Sequence, residues 1–455
     1  MVSFPDIGPA SVHPPDAGFP FIKIPFLKKE RKSGKIKERQ VKRGISMKLP
    51  PSVEAVLCAL EQAGHPAYLV GGCVRDMLLG RPCHDYDIAT AARPEQVHAV
   101  LNRYPVLDTG LAHGTVTVLL PETAVEITTF RRESAYADHR RPTSVSFSAT
   151  LSQDLSRRDF TVNAMAMDRR GRLFDPYHGR QDLSNGILRC VGDPRERFSE
   201  DALRILRAIR FAAVLRFSPE ENTARCLKEL CPLLKYVSRE RILSELHLLL
   251  CAPGAAAVLK EFALPLSKAL PLPPAILQKS AAGIDRLPQN FCLRLSFLFY
   301  LAGLDTEQAR KILGALRTSR QLRDNVCARL GALPLPPCRT VCDTRRLLCR
   351  FGPDVLQDAL LISQAARSVG IPPAADLALL TRFKEEILRR GDCCRLADLN
   401  ITGRDLVALG LQGPAIGSTL RALLDAVIDG RLKNDRDALC RAALLLHPPK
   451  DRSAP

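Results

Sequence analysis

Two aspartates one residue apart, Asp85 and Asp87, offer the first chemistry in this chain. In a strand, residues i and i+2 face the same side, so the two carboxylates point together. Paired carboxylates on one face bind Mg²⁺, a cation that keeps several waters and takes substrate phosphates as its other ligands. Arg75 precedes Asp85 by ten residues, within the run Gly71-Gly72-Cys73-Val74-Arg75-Asp76. Glycines between a strand and a helix let backbone N–H groups approach a phosphate, and the helix N-terminus adds partial positive charge. A lone Asp-x-Asp is as well explained by a solvated strand edge, and a lone Gly-Gly by a turn. At this spacing, with an arginine between them, they point to nucleotidyl transfer. His84-Asp85 resembles the metal-binding pair of a phosphohydrolase, but the nine histidines are dispersed and supply none of the further ligands.

Two later runs bring cations. In Arg157-Arg158-Asp159-Phe160-Thr161-Val162-Asn163-Ala164, Asp159 is expected to open a helix, where its charge suits the dipole, with Asn163 one turn on. Such an arginine pair is usually solvated; ahead of an apolar helix, in a chain with a phosphate and metal site, it favours a triphosphate contact. In Glu200-Asp201-Ala202-Leu203-Arg204-Ile205-Leu206-Arg207-Ala208-Ile209-Arg210-Phe211, Ser199 is the expected N-cap. Helical spacing puts Ile205, Leu206 and Ile209 on one face and Arg204, Arg207 and Arg210, headed by Asp201, on the other. An ordinary surface helix is the competing reading. No acidic residue follows any of these arginines by four, so they repel one another unless an anion lies opposite. A polyphosphate-facing helix is the better account.

The elements that must hold these groups begin near Met47. Ser52 to Ala63 is helical in spacing, Ala67 to Val70 is a short buried strand, and Cys73 to Leu79 is a helix stopped by Gly80 and Pro82. Asp85 to Ile88 is a strand, Pro94 to Arg103 a helix, and Gly114 to Leu120 and Val125 to Phe130 are strands. Beyond about residue 185 strand signals nearly vanish. Ser199 to Leu215, Arg239 to Leu250, Phe291 to Leu301 and Ile416 to Ile428 carry helical periodicity. The expectation is an α+β head followed by an all-helical remainder.

Composition narrows the partners. With 66 Lys plus Arg against 48 Asp plus Glu, the net charge of +18 favours polyanions, nucleic acid or nucleoside triphosphates. Residues 1–46 carry +6 of it, with five prolines in the first twenty positions and no apolar periodicity. They form either a basic, disordered arm or a stretch upstream of a true start at Met47. The longest apolar run, Leu248 to Leu259, contains Pro253 and Gly254 and falls short of the roughly 20 residues of a membrane span. The 15 cysteines form no CxxC pair, and Cys338, Cys342 and Cys349 have no histidine nearby. Free, mostly buried thiols in a reducing cytoplasm fit best.

Read together, these motifs resemble class II tRNA nucleotidyltransferases, the bacterial CCA-adding enzymes and their relatives the bacterial poly(A) polymerases. The resemblance runs from Tyr68 to about Leu246. It includes Glu126-Ile127-Thr128-Thr129-Phe130-Arg131, Asp175-Pro176 with Gly179 and Asp182, and Arg239-Glu240-Arg241-Ile242 with Glu245-Leu246. Ile401 to Leu406 with Leu409-Gly410-Leu411 is similar to the family's tail, whereas 255–390 matches only in being helical. The resemblance implies a polymerase-beta-like head at 47–183, then helical neck (184–250), body (251–390) and tRNA-binding tail (391–455). It implies Mg²⁺ at Asp85 and Asp87 as the catalytic pair, with Glu126 as a possible third carboxylate. It places Gly72 and Arg75 on phosphates, Arg158, Asp159, Arg207 and Arg210 around the nucleotide, and base selection on Asp201 and Arg204. The implied reaction is attack of the tRNA 3′-hydroxyl on the α-phosphorus of CTP or ATP. Ser134 to Pro142, with Tyr136, Asp138, Arg140 and Arg141, resembles the loop that complete CCA-adding enzymes keep and CC-only relatives lack. No long basic extension of the poly(A) type follows Asp451. CCA addition is therefore expected ahead of poly(A) or partial (CC- or A-) addition. A non-catalytic RNA-binding relative is disfavoured by the intact carboxylates and arginines.

Overall fold

The computed structural model describes residues 49–447 except 84, 134–135, 138–140, 143–144 and 148–149. The 1–46 arm, Met47, His84, Asp138, Arg140 and the end after Asp451 lie outside the described residues, and Tyr136 and Arg141 enter only as backbone. Pro51 presets the first turn of helix α1 (Pro51–Gln62), whose Val53, Val56, Leu57 and Leu60 are fully buried. Each such side chain contributes about 1.5–3 kcal/mol on burial. The next elements are β1 (Ala67–Val70), α2 (Gly72–Leu78), β2 (Tyr86–Thr90), α3 (Pro94–Val100), β3 (Val106–Gly110), β4 (Thr115–Leu119) and β5 (Ala124–Thr129). Two short hairpin pairings follow, β6 (Arg132–Glu133) with β9 (Val145–Ser146) and β7 (Tyr136–Ala137) with β8 (Arg141–Pro142). Then come α4 (Leu151–Ser156), β10 (Ala166–Met167) and β11 (Leu173–Phe174).

Among the described residues these strands form a seven-stranded sheet in the order β11-β10-β1-β2-β5-β4-β3. Only β2 and β5 run parallel, with Asp87 beside Glu126. Alternation fixes the faces: Val116, Val118, Val125 and Ile127 are buried on one side, while Glu126 is exposed on the other. Thr115 and Thr128 pair hydroxyls across β4 and β5 at 2.9 Å. Asp85 precedes β2 by one residue, so only Asp87 of the carboxylate pair is part of the strand.

Two expected helices differ. No α-helix starts at Asp159: Phe160 is extended and bridged to Cys190, Thr161 donates its N–H to the Arg189 carbonyl, and a single 3₁₀ turn (Thr161–Asn163) follows. The backbone there is already committed to the neighbouring segment. The expected helix from Ser199 is two helices. α6 (Pro194–Glu200) starts earlier, because Asp193 caps it and Pro194 is its first residue. It ends at Asp201, whose φ of −135° breaks the run before α7 (Leu203–Leu215) begins. Asp201 is thus a joint rather than the head of the arginine helix.

Helix α7 packs against α6, α9 (Arg239–Leu250) and α10 (Ala255–Glu261), while α8 (Glu221–Leu230) packs on α6 and α5 (Gly179–Asn185) on the Thr161–Asn163 turn. Among the described residues, strand structure past 185 is limited to β12 (Ile187–Leu188) and β13 (Ser218–Pro219), paired parallel. α9 and α10 meet at 119° around Gly254, where a Cβ would lie 2.6 Å from the Ala213 carbonyl oxygen of α7. Among the described residues no single helix is long and apolar enough to cross a membrane. Among the described residues ten further α-helices follow, up to Arg436–Leu446, and two separate cores lie within residues 332–394 and 393–443.

Candidate active site

The turn after β1 brings the first groups together. Gly71 adopts φ 75°, a conformation closed to most side chains, and a Cβ there would lie 2.9 Å from Arg158 Nη1 and 3.5 Å from Asp87 Oδ2. The missing side chain lets Arg158 and the β2 carboxylate share one space. Asp87 is half-buried, and burial pushes its carboxyl up to about 6, with Arg158 opposing and Glu126 and Asp85 adding to the rise. The residues needed for a hard cation are present as two carboxylates backed by a third on the adjacent strand. Among the described residues no three His, Cys, Asp or Glu side chains close around an ion on their own.

Arg158 is aimed by Asp154, which is wholly buried and binds Arg158 Nη2 at 3.2 Å and Arg157 Nη2 at 2.7 Å. Burial alone would push the Asp154 carboxyl up; the two guanidinium groups outweigh it and hold it low. Arg158 Nε is buried with no hydrogen-bond partner among the described residues, a donor left for something else to accept.

A second network spreads from Asp159. Its Oδ2 accepts from Arg207 Nε and Nη2 at 2.9 and 2.7 Å, and its Oδ1 from the Phe160 N–H and Asn163 Nδ2. Burial would raise this carboxyl, but Arg207 holds it below the usual range. Asn163 Oδ1 in turn accepts from Arg75 Nη1 at 2.7 Å. Phe211 lies under the fan, its ring centroid 3.9 Å from the Arg210 guanidinium, 5.3 Å from that of Arg75 and 5.6 Å from that of Arg207.

The arginines of α7 do not depend on a bound anion to offset their repulsion. Arg204 pairs with Glu200 at 2.6 Å, Arg207 with Asp159, and Arg210 with Glu245 of α9 at 2.5 Å. Asp201 and Arg204 are not neighbours on one helix face either. Arg204 Nη1 also donates to the Arg197 carbonyl and Nη2 to that of Arg157, while Asp201 accepts from Arg241 at 2.9 Å.

All ten expected site residues nonetheless line one cleft of about 920 Å³: Gly72, Arg75, Asp85, Asp87, Arg158, Asp159, Asp201, Arg204, Arg207 and Arg210. Glu126 sits beside Asp87 in register but not on the cleft wall. Eight arginines against four aspartates make the wall strongly cationic. Sequence reasoning missed Asp154, Glu245 and Arg241 as the groups that orient the arginines and Asp201. The available signals were the one-turn spacing of Asp154 to Arg158 and the charged run opening a helix that holds Arg241 and Glu245.

Comparison with known proteins agrees with this architecture. Residues 67–189 match the family described as the poly A polymerase head domain, 216–263 the probable RNA and SrmB-binding site of polymerase A, and 293–443 the tRNA nucleotidyltransferase domain 2. The CCA-adding enzyme of Streptococcus gordonii is 37% identical over 406 residues, covering 86% of this chain and 97% of that protein. The CCA-adding enzyme of Leuconostoc mesenteroides is 37% identical over 392 residues, covering 85% of this chain and 94% of that one. The crystal structure of the Bacillus stearothermophilus CCA-adding enzyme in complex with CTP aligns with a TM-score of 0.73 at 33% identity, over 88% of this chain and 98% of that chain. Sequence and fold agree over nearly the full length of these relatives, and the chain belongs to the family of CCA-adding enzymes.

Proposed function

We propose that the protein adds C, C and A stepwise to the 3′ end of tRNA from CTP and ATP, without a nucleic-acid template, releasing pyrophosphate. The observation that supports it most is the convergence of the Asp85–Asp87 pair with the arginine fan of α7 on one cleft. Its cationic wall suits a triphosphate, and the buried, unpartnered Arg158 Nε is a donor waiting for a phosphate oxygen.

Asp85 and Asp87 would hold Mg²⁺. The donor set fits: hard oxygens at the start of β2, with Asp87 raised to about 6 by burial that an added cation would offset. Bound Mg²⁺ supplies charge neutralisation at the triphosphate and activation of attacking and leaving oxygens. The chain's own groups do the rest. Gly72 and Arg75 contact phosphates, and Arg158, Arg207 and Arg210, fixed by Asp154, Asp159 and Glu245, fix the nucleotide for in-line attack. Asp201 and Arg204 read the base edge. The O–P bond from the 3′-hydroxyl forms as the bond to pyrophosphate breaks.

We assign 47–183 to the head, 184–250 to the neck, 251–390 to the body and 391–455 to a tail that grips tRNA, and we place the enzyme in the cytoplasm. The test is purified protein with tRNA lacking its 3′ end, Mg²⁺, and each NTP separately and together. Ordered C, C, A addition that EDTA abolishes is expected. A run of A marks a poly(A) polymerase, a stop after CC or a product of A alone a partial enzyme, and no product a non-catalytic relative.

A further inference from the structure

Asp201 lies between two helices, and two groups set the direction of its carboxylate. Its Oδ1 accepts from the Leu203 N–H at 3.1 Å, and Arg241 of α9 approaches both oxygens, Nη2 to Oδ2 at 2.9 Å and Nη1 to Oδ1 at 3.4 Å. A two-pronged guanidinium contact fixes the plane of a carboxylate as well as its position. One N–H on one oxygen would leave that plane free to turn. Arg204, by contrast, is held by Glu200 at 2.6 Å and the carbonyls of Arg197 and Arg157. The acceptor and the donor of the base-reading pair are therefore oriented independently. Both Asp201 and Arg241 line the cleft, and the Arg241 side chain keeps 32% of its surface exposed.

We propose that Arg241 is a positioning residue for base selection: it clamps the Asp201 carboxylate so that one lone pair faces the exocyclic amino group of C or A. Arg241 acts through Asp201 and does not itself read the base. The inference rests on the CCA-adding reading of the cleft. A freely turning carboxylate tolerates a carbonyl-bearing edge better, because it can rotate away from the repulsion that U or G would meet.

The experiment measures kcat/KM for CTP against UTP on tRNA lacking its 3′ end, and for ATP against GTP on tRNA ending in CC. Wild type, Arg241→Ala, Arg241→Lys, Asp201→Ala and the Asp201→Ala/Arg241→Ala pair are compared. Arg241→Ala is expected to lose at least tenfold of the discrimination. Arg241→Lys should be intermediate, since an ammonium restores the charge but not the fork. In the Asp201→Ala background, Arg241→Ala should change the ratio no further. Ratios unchanged in both Arg241 variants, with only the overall rate or Tm reduced, would overturn the proposal. A further loss in the Asp201→Ala background would also overturn it, since Arg241 would then contact the base directly. Failure of wild type to add C, C and A would instead sink the function reading, and this inference with it.

Discussion

Arg207 grips Asp159 through Nε and Nη2 at 2.9 and 2.7 Å, tying helix α7 to the turn that carries Asn163 and, through it, Arg75. One ion pair therefore links helix α7 to the Asn163–Arg75 contact beside the Gly71–Gly72 turn. Lysine at 207 would keep the charge and lose the two-pronged contact. Arg207→Lys should raise KM for CTP and ATP together, with stability reduced by about 1–3 kcal/mol. Steady-state kinetics with each nucleotide and urea unfolding check this; a change confined to one nucleotide would contradict it.

Asp85→Asn and Asp87→Asn should each abolish nucleotide addition while leaving tRNA binding largely intact. The carboxylates sit at and just before β2, whereas RNA affinity for a chain of +18 net charge is expected to come from its basic surface. Filter binding or anisotropy with tRNA, alongside single-turnover addition, separates the two. Collapse of tRNA affinity together with catalysis would refute this division.

Much of this site was legible because it depends on local geometry. Gly71 and Gly72 follow from a strand and a tight turn, Asp87 from the strand after them, with Asp85 just ahead of it, and the arginine line of α7 follows from helical period alone. What failed was local punctuation. Asp193-Pro194 is a stronger start signal than Ser199, and α6 begins there; the break at Asp201 carries no comparable signal. The near partners, Glu200 before Arg204 and Asp154 before Arg158, sit one helical turn away and were open to reading, but the distant ones were not. Glu245, Asp159 and Arg241 lie 35 to 48 residues from the groups they hold, a distance that no periodicity spans. β3 escaped for another reason: as an edge strand with exposed central residues it lacks the alternation that marks β4.

Asp154 gives a pH signature. Its carboxyl is held below the usual range in the folded protein by Arg157 and Arg158 despite full burial, against about 3.9 when unfolded. A depressed folded value contributes stability above the unfolded value, and that stability is lost as pH falls through it. Asp154→Asn should lower stability at pH 7 by about 3–5 kcal/mol, because two half-buried guanidinium groups lose their shared anion. It should also flatten the acid limb below about pH 4.5. Urea midpoints from pH 7 to pH 3 test both, and an acid limb as steep as that of wild type would count against the assignment.

The last prediction concerns how a protein selects bases with no nucleic-acid template. Cytosine offers an amino donor beside a ring acceptor, as does adenine; uracil and guanine offer a carbonyl acceptor beside an N–H donor. A carboxylate, which only accepts, next to a guanidinium, which only donates, suits C and A and opposes U and G. Asp201 and Arg204 bring these two groups to one cleft from the α6–α7 joint and the first turn of α7. Mispairing leaves a desolvated charged group facing a like partner, at about 1–3 kcal/mol per lost contact. Asp201→Ala combined with Arg204→Ala should therefore incorporate UTP and GTP at rates approaching its residual rate with CTP. Mg²⁺ dependence should persist, since Asp85 and Asp87 belong to a different element. Sequencing the products of addition with all four nucleotides reads the outcome directly. Strict C-then-A order at a lower rate would show that base recognition resides in other residues of the cleft.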